Sequence, residues 1–265
     1  MARLRDFLAL TLAQALALNG LFPPLSSAKV IPGAWPVRQP LPPLRFRPLS
    51  LRCLITAGPT REFLDPVRFV SNPSTGKMGY ALAAAARAAG WTVDLVSGPV
   101  SLPEPDGVMV YPVVTAAEML RQTDALFGPC DVLIMTAAVS DWRPKVSHPQ
   151  KLKKTGEGLS VEFEPTEDIL ATLARRRRPD QFLVGFAAET ENVEAHALAK
   201  LDRKGADLIA ANAVAGPHGA FGSDQNKLIL LGRDGFREVL GPGAKTAVAA
   251  SLIARLAALR TARAR

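Results

Sequence analysis

Cysteine is scarce in this 265-residue chain, which has two, Cys53 and Cys130. Their spacing excludes a zinc framework. Each lies in or beside an apolar run of strand length, as buried free thiols of a reducing compartment do. Tyrosine is equally scarce. A short-chain reductase needs a Tyr with a Lys four residues on, but Tyr80 and Tyr111 are followed at that spacing by Ala84 and Thr115. Hydride transfer of that kind therefore lacks its acid. Long apolar runs are missing too. The apolar-rich stretch Phe7–Leu18 is well short of the roughly 20 residues a spanning helix requires. No G-x-G-x-x-G follows the first apolar run, where Ala57-Gly58-Pro59-Thr60 stands instead, and Asp94 lies within the second run rather than at its end. Ser74-Thr75-Gly76-Lys77-Met78 resembles the end of a P-loop, but Ser71 and Met78 occupy positions that need Gly and Ser/Thr. There is no internal repeat.

A basic nucleic-acid face is absent as well, despite a net charge of +8. Residues 1–50 carry six basic side chains against Asp6, and Arg255, Arg260, Arg263 and Arg265 close the chain. These two ends account for all of the excess, which leaves the body close to neutral. Arg3 and Arg5 ahead of Phe7–Leu18 have the charged start and apolar middle of a signal peptide. A loosely ordered extension or an early start codon explains the stretch equally well. Eight prolines between Pro23 and Pro48 then read as a linker. Residues 1–49 are thus expected to be a poorly ordered or Pro-rich extension, and 50–265 the folded domain.

What is present is a core-forming chain, 48% hydrophobic. It is organised around Leu51–Gly79: a short apolar run, a break at Gly58-Pro59, a long polar loop, and a helix entered at Gly76. Strand, small-residue loop and helix start are how α/β proteins aim backbone N–H groups at a phosphate. Further strands are predicted at Thr92–Val96, Val108–Val114, Asp131–Thr136, Gln181–Phe186 and Asp207–Ala211. Helices are predicted from Ala116 to Phe127, Glu167 to Arg178, Asn192 to Lys204 and Ala244 to Ala262. Lys151–Pro165 reads as a hairpin flap with a Gly-rich turn, and Lys227–Leu231 with Arg237–Leu240 as a late antiparallel pair. The expected fold is α/β: a Rossmann-like, mostly parallel sheet with helices on both faces, a β-hairpin flap and a small antiparallel extension.

The segments TAGPTREFLDPVRFVSNPSTGKMG, AAVSDWRP, KLKK and GFAAETE, and a Lys-bearing helix ending in DLIAAN, follow one another across about residues 50–258. In that order they resemble phosphopantothenate–cysteine ligase (phosphopantothenoylcysteine synthetase). The resemblance implies a cytoplasmic enzyme of coenzyme A biosynthesis, of the bacterial CTP-dependent type. Such an enzyme activates 4′-phosphopantothenate with CTP and Mg2+ as an acyl-cytidylate, then couples it to cysteine. In many bacteria this domain is fused behind a flavodoxin-like decarboxylase. Fifty residues cannot hold such a domain, so the expectation is a stand-alone ligase, and by family habit a homodimer formed near the flap. No nucleic-acid or membrane partner is expected.

The same resemblance implies site residues. Asn72 would hold the acyl group, its amide NH2 donating to an oxygen that gains charge. Arg68 would pair with the substrate's phosphate or carboxylate, unless it is spent on Asp65. Lys151 would reach the nucleotide phosphates. Asp141 would contact the ribose or the phosphate-bound cation, and backbone groups at Met135, Thr136 and Ala137 would read the base. Phe186 would flank the base. Lys200 and Lys204, four apart on one helix, would face the triphosphate. Glu167, Asp168, Ile169 and Leu170 would supply another nucleotide contact. Two alternatives stay open on the residues alone: a catalytically inactive nucleotide-binding protein of the same fold, and an NADP-linked reductase.

Overall fold

The computed structural model describes residues 50–154, 156, 158–189, 191–213 and 223–263. The chain opens with β1 (Arg52–Ala57), then a small antiparallel ribbon of β2 (Arg61–Phe63) and β3 (Phe69–Ser71). Helix α1 (Lys77–Ala88), β4 (Thr92–Ser97), β5 (Met109–Pro112), α2 (Ala116–Phe127) and β6 (Val132–Met135) follow. A second ribbon pairs β7 (Trp142–Pro144) with β8 (Phe163–Pro165). Next come α3 (Ile169–Ala174), β9 (Phe182–Glu189), α4 (Val193–Lys204), β10 (Leu208–Ala213), β11 (Gln225–Gly232), β12 (Arg237–Ala244) and α5 (Lys245–Arg263).

Eight strands form one sheet in the order β12-β11-β10-β9-β6-β1-β4-β5. The six from β10 to β5 run parallel, while β11 and β12 are antiparallel additions at the edge. Side chains alternate across the pleat, so each strand feeds two cores. Cys53, Ile55, Val132 and Ile134 pack under α1 and α5 with Leu82, Ala86, Leu252 and Leu256. Leu54, Leu133 and Leu183 face the other way, onto Met119 of α2, Leu173 of α3 and Leu201 of α4. Both cysteines are buried and free, and burial pushes the Cys130 thiol up to about 12 and Cys53 up as well. Neither can act as a thiolate near neutrality.

From β1 the chain runs outward to β4 and β5, then returns to the opposite side of β1 through β6. The order therefore reverses between β1 and β6, and the crevice outside their carboxyl ends is where open α/β sheets take ligands. Two features depart from the sequence reading. The flap ribbon does not take both arms from Lys151–Pro165, because its upstream arm is β7, well before the KLKK run. Also, the loop after β1 carries the β2–β3 ribbon, closed by an edge-on contact of Phe63 with Phe69 at 5.5 Å.

Candidate active site

The crevice is built on the loop that leaves β6. Its backbone runs beside the exit of β1: Ala138 N–H donates to the Gly58 carbonyl at 2.9 Å. Threonine side chains fix it further. The Thr136 hydroxyl donates to the Thr56 carbonyl at 2.5 Å, and the Thr60 hydroxyl accepts from Ser140 N–H at 2.9 Å. Across the loop, the Thr166 hydroxyl donates to the Ser140 carbonyl at 2.6 Å and its N–H to the Asp141 carbonyl at 2.9 Å. These ties bring the start of α3 against Asp141. Gly79 of α1 permits the close approach on the other side, since a Cβ there would stand 2.5 Å from Ala57 Cβ and 2.6 Å from Thr136 Oγ1.

The resulting cavity holds about 750 Å3, within the range of small-molecule sites. Asn72, Met135, Ala137 and Asp141 line it from the β1 and β6 loops. Glu167–Leu170 line it from the start of α3, Phe186 from β9, and Lys200 and Lys204 from α4. Residues distant in sequence and named from short motifs thus meet at one sheet edge. Thr136 lines a smaller neighbouring cavity of about 100 Å3, which shares Ala137, Ala138 and Phe186 with the crevice.

The charges of the crevice are largely pre-paired. Lys200 meets Glu189 at 2.7 Å and Lys204 meets Asp168 at 2.5 Å. Asp168 also caps α3, accepting from Ala171 N–H at 3.1 Å. Ile169 and Leu170 are buried in the core. The Asp141 carboxylate has no hydrogen bond or ion pair among the described residues. Arg203 lines the crevice between the two lysines and was missed in the sequence, though its place three residues after Lys200 puts it on the same helix face.

Three expected residues sit differently from the sequence picture. The Asn72 amide nitrogen donates to the carbonyls of Ala138 and Val139, each at 3.2 Å. Carbonyls only accept, so the amide orientation is fixed and its donors are committed to the loop. Arg68 is spent on Asp65 at 3.4 Å and on the Leu152 carbonyl at 2.7 Å, and it does not line the crevice. Lys151 is exposed and also outside the lining, one residue before Leu152, whose N–H donates to Asp65 at 3.1 Å. Asp65 is the anchor of this assembly. Burial alone would raise its pKa, but N–H groups of Val67, Leu152 and Arg68, with the Arg68 guanidinium, hold it below the usual carboxylate value.

Residues 49–259 match the DNA/pantothenate metabolism flavoprotein C-terminal domain family. The chain belongs to that family. Among relatives of this domain, the coenzyme A biosynthesis bifunctional protein CoaBC of Bacillus subtilis is 45% identical over 207 residues, 78% of this chain and 51% of that protein. CoaBC of Escherichia coli K12 is 48% identical over 188 residues, 70% of this chain and 46% of that protein. The chain spans about half the length of these relatives. A crystal structure of the C-terminal domain of CoaBC superposes with a TM-score of 0.66 at 41% identity, covering 78% of this chain and 93% of that one. A Cab2 mutant in complex with phosphopantothenate-cysteine shares the fold, with a TM-score of 0.67 at 18% identity over 80% of this chain and 86% of that one. The mostly parallel α/β architecture of this chain is thus the architecture of the family's C-terminal domain.

Proposed function

We propose that this domain is a phosphopantothenate–cysteine ligase of coenzyme A biosynthesis, which uses CTP to activate 4′-phosphopantothenate. A carboxylate is a poor acceptor for an amine because its charge repels the nucleophile. Transfer of CMP onto it, with release of pyrophosphate, gives a mixed anhydride that the cysteine amine opens, expelling CMP. Both steps are governed by positioning and charge neutralisation, which an anchored loop at a sheet edge supplies. The single observation that carries the reading is the crevice itself, where the residues of separate ligase-like motifs line one cavity of about 750 Å3.

In this reading Ala137 and Ala138 let the substrates approach the backbone closely. Asn72 fixes the carbonyls of Ala138 and Val139 and so holds this loop in place beside the acyl group. Lys200 and Lys204 exchange their carboxylate partners for triphosphate oxygens. Lys151 reaches the phosphates from the strap that Asp65 and Arg68 hold, which makes Arg68 a positioning residue. The Asp141 carboxylate, without a partner among the described residues, fits a magnesium ion carried on the phosphates, since that ion is commonly held by one or two carboxylates plus substrate oxygens. Bound there, magnesium would offset the charge of the departing pyrophosphate.

The chain is also proposed to act as a homodimer. Val67, Phe69 and Val70 around the β2–β3 ribbon and Val146 and Phe163 near the β7–β8 ribbon expose apolar side chains. The two ribbons are tied by His148 N–H to the Leu64 carbonyl at 2.8 Å. The test of the activity is product analysis by mass spectrometry with CTP, Mg2+, 4′-phosphopantothenate and cysteine. Phosphopantothenoylcysteine and CMP in equal amounts are expected, and absence of both above a no-enzyme blank would end the reading.

A further inference from the structure

By strand alternation Ala187 and Glu189 share one face of β9, and Ala187 is buried in the same core as Ala197 and Leu201 of α4. Glu189, the last residue of the strand, thus faces α4, where His196 and Lys200 stand four residues apart on one side. Its side chain is 14% exposed, against 38% for Asp168, the partner of Lys204. Lys200 Nζ lies 2.7 Å from Glu189 Oε1, and His196 Nδ1 lies 3.4 Å from Oε2. Yet Oε1 is buried and makes no hydrogen bond among the described residues. The lysine is therefore held there by charge, without the alignment a hydrogen bond needs. Asp168 has a second task, capping α3 through Ala171 N–H. The Glu189 carboxylate accepts from no backbone N–H among the described residues, so local structure does not account for it.

We infer that Glu189 is a positioning residue that acts through Lys200. It competes with the polyphosphate for the ammonium, limits how tightly the nucleotide is held, and draws Lys200 back as pyrophosphate leaves. This rests on the ligase reading for the identity of the polyphosphate. The geometry suits an exchange better than a permanent ion pair. Opening an aligned, hydrogen-bonded pair would be costly, whereas here the carboxylate oxygen is already unsatisfied. His196 stays beside Oε2 as an N–H donor, so the carboxylate keeps a neighbour when Lys200 departs. Arg203 lines the crevice beside Lys200 and has no carboxylate partner among the described residues. An incoming triphosphate thus has one cation to meet before Lys200 is released. Such competition has a use in turnover. Holding the polyphosphate equally tightly before and after reaction would slow its departure without speeding bond making.

Titration calorimetry with CTP and Mg2+, and separately with pyrophosphate and Mg2+, tests the inference without turnover when the acid substrate is left out. Glu189→Gln keeps the shape and removes the charge. It is expected to bind both about threefold to tenfold more tightly than wild type, since Lys200 is no longer shared. With all substrates present, its kcat and its KM for CTP should both fall, and inhibition by pyrophosphate should strengthen. Damage to the fold weakens binding, so a merely structural role would not move affinity in this direction. Glu189→Asp keeps the charge and should bind both close to the wild-type strength. In a Lys200→Gln background, Glu189→Gln should leave affinity unchanged. Should Glu189→Gln not fold, Glu189→Thr, a residue strands accept, takes its place with the same expectation. Unchanged or weaker binding by the charge-removing variant, or the same gain without Lys200, would overturn the exchange. If the binding pattern holds but no phosphopantothenoylcysteine forms, the ligase reading falls and the exchange stands. If product forms and the charge-removing variant binds no tighter, the exchange falls alone.

Discussion

Asn72 donates to two carbonyls of the loop that leaves β6, so its contribution passes partly through that loop. Replacing it with Ala removes hydrogen bonds worth about 1 kcal/mol of stability each, a modest loss for a domain of this size. Asn72→Ala is therefore expected to fold, with a Tm lowered by a few degrees, and to lose about 100-fold or more in kcat, measured by pyrophosphate release. Wild-type turnover would remove Asn72 from the chemistry. Asp65 permits a second test. A carboxylate with a lowered pKa stabilises the folded state fully above its unfolded value, and that stability is lost as pH falls through the lowered folded value. Amide exchange at Leu152 should thus stay protected from neutrality down into the ordinary carboxylate range and open only below it. Asp65→Asn should speed that exchange already at neutral pH. Loss of protection well above the carboxylate range would place the anchor elsewhere. The sequence named Asn72 because an entire motif surrounds it. It could not say where the amide donates, because the partners are backbone carbonyls more than sixty residues away.

At the scale of elements, Gly79 sets how closely α1 lies on β1 and β6. A methyl group there would meet Ala57 and Thr136, neither of which can swing aside as a long side chain would. Gly79→Ala is expected to destabilise the domain by about 1–3 kcal/mol, read from urea unfolding, and to raise KM more than a matched change at the solvent-facing Gly128, whose backbone is right-handed and whose surroundings are open. Equal behaviour of the two variants would contradict the close-approach argument. The parallel strands were legible because each is a short apolar run between helical patterns. Thr92–Val96 was expected and Thr92–Ser97 is observed, but the strand expected over Val108–Val114 spans only Met109–Pro112 and the helix expected over Glu167–Arg178 only Ile169–Ala174. Short ribbons were not legible in the same way. β2 and β3 have three residues each, too few for alternation to register. The flap's upstream arm was missed because Trp142–Pro144 pairs with Phe163–Pro165 across a long intervening segment, and no local pattern encodes such a partner.

At the scale of the whole molecule, the exposed apolar side chains on the two ribbons set an assembly test. Light scattering after size exclusion should give twice the chain mass of 28.2 kDa. Val67→Glu with Val146→Glu should return the single-chain mass without unfolding, since both side chains are more than half exposed. A single-chain mass for wild type would contradict the dimer. The crevice lies at the reversal of strand order, where open α/β sheets take ligands, and the order of bond making in the proposed reaction is the central claim. It is tested by 4′-phosphopantothenate carrying oxygen-18 in its carboxylate, with the released nucleotide analysed by mass spectrometry. Activation through an acyl-cytidylate predicts one labelled oxygen in CMP and none in pyrophosphate. Unlabelled CMP, or label in another phosphate product, would contradict it.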